Sequence, residues 1–143
     1  MVEKIPKNVE AAFAAHDRHL RDPLMQCRAL VLDTAASTDG VGQITETLKW
    51  GQPSYLTDAT KSGSTIRLAP ASAMTKTDEL RPALFVHCAT DLIEQFKTFY
   101  PDIFGYQGKR ALVIRGDIQS VSVELRHCIA LALTYKLRRR NGK

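Results

Sequence analysis

Long apolar runs, paired cysteines and catalytic signatures are all missing from this chain of 143 residues. No apolar stretch approaches the roughly 20 residues that cross a bilayer. The opening segment, MVEKIPKNVE, has no hydrophobic signal core. A cytoplasmic protein without a membrane partner is therefore expected. The cysteines Cys27, Cys88 and Cys128 lie far apart, with no CxxC and no Cys/His cluster at metal-ligand spacing. Their apolar settings, MQCRALVL, LFVHCAT and RHCIALAL, read as three buried, reduced thiols. A Cys88–His87 nucleophile–base couple is discounted, because neighbours on a strand point to opposite faces. There is no GxSxG, P-loop, GxGxxG or HExxH, and GYQGKR at 105–110 lacks phosphate-loop spacing. Neither an enzyme nor a bound cofactor or metal is expected.

Acidic surplus is missing too. The formal charge is +5, and the surplus lies at the end of the chain, in Lys136, Arg138, Arg139, Arg140 and Lys143. Without these five the chain is formally neutral. The tail reads either as a contact for an acidic partner or as solvated cations that favour a helix C-terminus, and the second reading is preferred. No basic face with interleaved aromatics is visible elsewhere, so nucleic acid is not the expected partner.

What is present is a single domain's worth of alternating patterns. At 44% hydrophobic and 24% charged residues the composition is that of a globular protein, and one domain spanning residues 1–143 is expected. Residues 8–36 read as two helices. Asn8 caps the first, and Asp22 caps the second with Pro23 at its first position. Leu24, Cys27, Leu30 and Val31 form the inner stripe of the second. His16 and His19 fall between the two. Thr47–Trp50, Ser54–Thr57 and Ser64–Leu68 read as a three-stranded meander turning first at Gly51-Gln52-Pro53. Leu48 and Trp50 share one side of the first strand, and Thr65 and Arg67 one side of the third. A long loop follows Leu68, with a short helical turn at Thr77–Leu80. Next come a strand at 83–88, a helix started by Thr90 or Asp91 and ended by Pro101, strands at 104–106 and 109–115, and a last helix from about Ser120 to Leu137. Strands grouped between terminal helices argue for α+β: an antiparallel sheet with N-terminal and C-terminal helices packed on it.

KWGQPSYL and, after a short gap, GSTIRL carry a family likeness. ALFVHCATDLIEQFKTFYPD at 83–102, GKRALVIR at 108–115 and LRHCIALALTY at 125–135 extend it. Over residues 8 to about 137 the chain resembles the bacterial YdhG/YdeI-like domain family, leaving 138–143 as a basic tail. The resemblance implies a frataxin-like arrangement and, as an alternative function, an intracellular iron chaperone. That role needs clustered carboxylates. Here Glu3, Glu10, Asp17, Asp22 and Asp33 are scattered among Lys4, Lys7, Arg18, Arg21 and Arg28. The primary expectation is a non-enzymatic binding protein for a small ligand or a protein partner. Its candidate ligand-binding residues are Lys49 and Arg67 on the exposed face of the meander, with Trp50, Tyr55 and His87 near the rim.

Overall fold

The computed structural model describes residues 4–72 and 79–142. Two helices, α1 (Lys7–Ala14) and α2 (Arg18–Ser37), precede strands β1 (Thr45–Lys49), β2 (Gln52–Leu56), β3 (Ile66–Ser72) and β4 (Leu80–Phe85). Then follow α3 (Leu92–Phe99), β5 (Gly105–Gln107), β6 (Ala111–Val113), a 3-10 turn (Gln119–Val121), α4 (Ser122–Leu133) and α5 (Tyr135–Gly142). The strands form one antiparallel sheet in the order β1-β2-β3-β4-β6-β5. The architecture is α+β, as the grouping of strands between terminal helices predicts. No described helix is long and apolar enough to cross a membrane.

Register assigns the two faces, because directly paired residues share a side of the sheet. Tyr55, Ile66, Leu68, Leu84 and Leu112 lie on the inner side and join the main core with Val9, Leu24, Val31, Phe96 and Leu125 from the helices. The outer side carries Lys49, Gln52, Ser54, Arg67, Phe85 and Ala111. A second small cluster there, Ala71, Ala83 and Val113 with Phe85 against it, includes no described helix residue.

Several local expectations are corrected. The second helix starts a turn earlier than Asp22, and Pro23 lies inside it; the break falls instead at Ala15–Asp17. Leu20, Leu24, Cys27 and Val31 are buried along this helix, and that packing outweighs the hydrogen bond proline deletes. The first hairpin turns on Trp50-Gly51, with φ values of 57° and 73°, so β1 ends at Lys49 and Pro53 sits inside β2 opposite Leu48. Two positive-φ central residues define the type I′ turn that matches strand twist.

Residues 69–72 and 80–82 of the expected loop after Leu68 are strand, and 73–78 lie outside the described residues. β3 continues to Ser72, and β4 begins at Leu80 with Pro70 opposite Pro82. Pro82 turns its carbonyl away from β3, accepting the Ile114 N–H at 2.9 Å. A proline at such a position removes no bond between β3 and β4. Of the expected turn at 77–80, Leu80 is in β4, and 77–78 lie outside the described residues. The last helix is broken at Thr134 into α4 and α5. The 83–88 strand ends at Phe85, which leaves Cys88 exposed in a turn, whereas Cys27 and Cys128 are buried as expected. Burial pushes both buried thiols up to about 12.

Candidate functional site

The five residues singled out from the sequence do not converge. Tyr55 and Trp50, both expected near a rim, lie in different surroundings. Tyr55 is fully buried, and its hydroxyl donates to Glu46 Oε2 at 2.8 Å. Arg28 from α2 holds the same carboxylate in a two-pronged pair, at 2.6 and 2.9 Å. Burial, then the Glu46 charge, raises the Tyr55 phenol far above its ordinary range. Tyr55 is therefore part of a buried polar clamp between α2 and the meander and not of any ligand rim. Trp50 is 90% exposed at the hairpin tip.

Lys49 and Arg67 do share the outer face. Lys49 pairs with Gln52, and Arg67 lies across from Ser54 and Phe85. The Arg67 guanidinium donates to Gln52 Oε1 at 2.5 Å and lies 5.4 Å from the Phe85 ring centre. Burial first, and then the charge of Arg110, push its pKa below the ordinary value. From the Ser54–Arg67–Phe85 row, Trp50 lies towards Ser72 and His87 towards Thr65. They sit at opposite ends of the sheet and cannot line one pocket.

His87 opens a different site. Past β4 the chain turns through His87–Asp91 into α3. His87 Nδ1 accepts the Ala89 N–H at 3.0 Å, and the Thr90 hydroxyl donates to the His87 carbonyl at 2.7 Å. With Nδ1 accepting, the neutral ring carries its proton on Nε2. Two adjoining cavities flank this turn. One, of about 400 Å³, is lined by Cys88, Thr90, Asp91, Lys109, Tyr135 and Arg139 among others. The other, of about 320 Å³, is lined by Ser64, Thr65, His87, Thr90, Tyr135 and Lys136 among others. They share Thr90 and Tyr135, so they are two lobes of one cleft. Either volume suits a small ligand.

The wall opposite the turn exists because α4 stops at Thr134. Ser64 N–H donates to the Ala132 carbonyl at 2.9 Å, and the Ser62 hydroxyl to the Leu133 carbonyl at 2.8 Å. These bonds satisfy carbonyls that a helix end leaves open. Leu137 N–H then donates to the Ser62 carbonyl at 2.8 Å, starting α5. Gly63 passes so close that a Cβ would lie 2.2 Å from the Leu133 carbonyl oxygen. Gln95 ties α5 to α3, accepting from Arg138 Nη2 at 3.0 Å and donating to Asp91 Oδ1 at 2.8 Å.

The cleft's charges are uneven. Its carboxylates lie along α3: Glu94 pairs with Lys97, and Asp91 accepts from the uncharged Gln95 amide and keeps its charge in the lobe lined by Lys109 and Arg139. Lys109, Lys136 and Arg139 have no carboxylate partner among the described residues, whereas Arg18, Arg21, Arg28, Arg81 and Arg126 each have one. Arg139 instead donates to the Tyr135 hydroxyl at 3.0 Å and lies over its ring at 5.5 Å. Free cations facing a cavity can hold an anion, and His87 Nε2–H adds a neutral donor.

Of this site the sequence reading had only His87. Lys109 lies in GYQGKR and Arg139 in the basic tail, and nothing local joins positions so far apart. Among the described residues no three His, Cys, Asp or Glu side chains stand close enough to hold a metal ion together. Comparison of the chain with family models, curated proteins and solved structures finds no match in any of the three.

Proposed function

We propose that this protein is a non-enzymatic binding module that takes a small anionic ligand into the two-lobed cleft between the His87–Asp91 turn and α5. The observation that carries the reading is the set of cations without carboxylate partners, Lys109, Lys136 and Arg139, around adjoining cavities of about 400 and 320 Å³. An anion entering there replaces water on those cations and leaves existing ion pairs intact, which limits the desolvation cost of binding. The exposed Cys88 thiol has no base in hydrogen-bonding contact, and no nucleophile–base–orienter chain converges on the cleft among the described residues, so binding is the chemistry favoured over catalysis. We read the chain as a YdhG/YdeI-like domain on the segments quoted above. The iron-carrying alternative that this likeness brings has no observation in its favour.

Thermal denaturation with inorganic phosphate, nucleoside monophosphates, small dicarboxylates and, anaerobically, ferrous iron tests the reading. A ligand at about 100 times its Kd adds roughly 2.7 kcal/mol, on the order of 5–10 °C at this size. The expected shift comes from an anion, disappears in Arg139→Ala and Lys109→Ala, and survives in Arg18→Ala. A shift confined to iron, or an anion shift indifferent to the cleft variants, refutes it.

A further inference from the structure

The cleft's cations do not stop at its mouth. Lys109 is followed by Arg110, whose carbonyl accepts the Val86 N–H at 2.7 Å. That bond sets Arg110 beside the end of β4, next to Phe85, which lies opposite Arg67. Arg67, Arg110 and Lys109 therefore run around the end of the sheet to the lobe that Lys109 lines with Arg139, and Lys136 lines the adjoining lobe. None of these five has a carboxylate partner among the described residues. Two of them cover aromatic rings: Arg67 lies over Phe85 at 5.4 Å and Arg139 over Tyr135 at 5.5 Å.

We propose that this strip, from the outer sheet face around the β5–β6 turn and into the cleft, is a binding surface for single-stranded nucleic acid. The inner half of the inference rests on the cleft reading, and the outer half on the Arg67–Phe85 register together with the Arg110 charge that acts on Arg67. Charge complementarity selects a polyanion, because five cations spread along a strip exceed what one small anion neutralises. The guanidinium planes layered on Phe85 and the buried Tyr135 select nucleic acid over an acidic polypeptide. Bases stack on aromatic rings and guanidinium planes, and each stack strengthens binding; carboxylate side chains gain nothing from them. Single strands are selected over duplex because stacking on side chains needs unpaired, splayed bases. The sequence hides this surface. Its cations are scattered over β3, a hairpin turn and α5, and only the fold interleaves them with Phe85 and Tyr135.

Fluorescence anisotropy of the full chain with labelled 12-nucleotide oligo(dT) and oligo(U), between 50 and 200 mM salt, tests the proposal. Neutralising three to five phosphates gives a slope of log K against log salt of about −2 to −3.5. Arg67→Ala with Arg110→Ala should make that slope shallower by about 1.4 and weaken binding at 50 mM salt. Phe85→Leu, which keeps every charge, should weaken it roughly fivefold or more. Arg110→Glu, in an exposed turn, provides a variant with little folding risk and should weaken binding more than Arg110→Ala. Arg18→Ala with Arg21→Ala should leave it unchanged. No binding at 50 mM salt overturns the proposal. Binding indifferent to the Arg67, Arg110 and Phe85 variants also overturns it, as does equal competition by polyglutamate at matched charge. If phosphate stabilises the protein through Arg139 while oligonucleotides do not bind, the strip falls and the cleft reading stands. If oligonucleotides bind through Arg67 and Arg110 while no small anion stabilises the protein, the strip stands and the small-ligand reading falls.

Discussion

Removing one charge from the Arg28–Glu46–Tyr55 clamp should destabilise the protein more than most core truncations. The Arg28 and Glu46 side chains are 2% and 8% exposed, and two short hydrogen bonds join them. Glu46→Gln keeps the shape of the acceptor and removes the carboxylate that balances Arg28. Breaking a buried pair from one side costs about 3–5 kcal/mol, which is roughly 9–15 °C in Tm for a chain of this length. Replacing the whole clamp has a different sign. Arg28→Met, Glu46→Leu and Tyr55→Phe together remove both charges of the pair and the hydroxyl that donates to it, and should lie between neutral and about 4 kcal/mol stabilising. The third change is needed because Tyr55 donates to the carboxylate that has gone. Urea denaturation followed by far-UV circular dichroism is the assay. Trp50 fluorescence is a poor choice, since its ring is already exposed in the folded state. A Glu46→Gln loss below about 1 kcal/mol would show that the pair is solvated in solution, and the argument from burial would fail.

The same structure sets three further expected outcomes. Gly63→Ala places a methyl group against the Leu133 carbonyl and should cost about 1–3 kcal/mol or more; a neutral result in urea denaturation means that loop and helix do not touch. Trp50→Asn relieves a bulky residue held at φ 57°, so it should stabilise by about 1 kcal/mol, and a lower Tm would indicate that the exposed ring has a packing partner. Cys27 and Cys128 are raised from 9.0 to about 12 in the folded state, so the native protein holds protons that the unfolded chain releases. Their contribution is complete below pH 9 and is lost as pH climbs towards 12. Tyr55 and Tyr106 are raised as well, from 10.0, so between pH 9 and 10 the slope of stability against pH should flatten in Cys27→Ala with Cys128→Ala; an unchanged slope refutes the assignment to the thiols.

Periodicity made the fold class legible. The stripe Leu24–Cys27–Val31, the alternation Ile66–Arg67–Leu68 and the inner face of α3 are local patterns, and each element they mark exists. Where the reading failed, tertiary contacts outweighed local rules. Pro70 and Pro82 look like loop formers until one sees that they face each other where no ladder bond between their strands is needed. Alternation along Thr47–Trp50 puts Trp50 beside Leu48, but the hairpin turns one residue earlier and throws the ring into solvent. Cys88 reads as apolar from its neighbours Phe85 and Val86, although the strand ends before it. The paired partners of Arg28 and Arg126, at Glu46 and Asp33, are equally invisible from spacing, since each pair joins separate elements.

The candidate site was the least legible part because its geometry belongs to a helix break and not to a motif. Ser62 accepts from Leu137 and donates to Leu133, so one residue of an unremarkable polar loop closes α4 and opens α5. Without that break the LTYKL segment would extend α4 as one rod to about Leu137, as the sequence pattern predicts, and the basic tail would be a solvated helix end. With it, Tyr135 turns into the core edge and Lys136 and Arg139 face the His87–Asp91 turn. The same cations thus change from a generic tail to the wall of a cleft through three hydrogen bonds made by Ser62 and Ser64. Stability and the shape of the cleft are therefore linked at this loop. A change that loosens the Ser62–Ser64 contacts acts on the cleft without touching any residue that lines the Arg139 lobe.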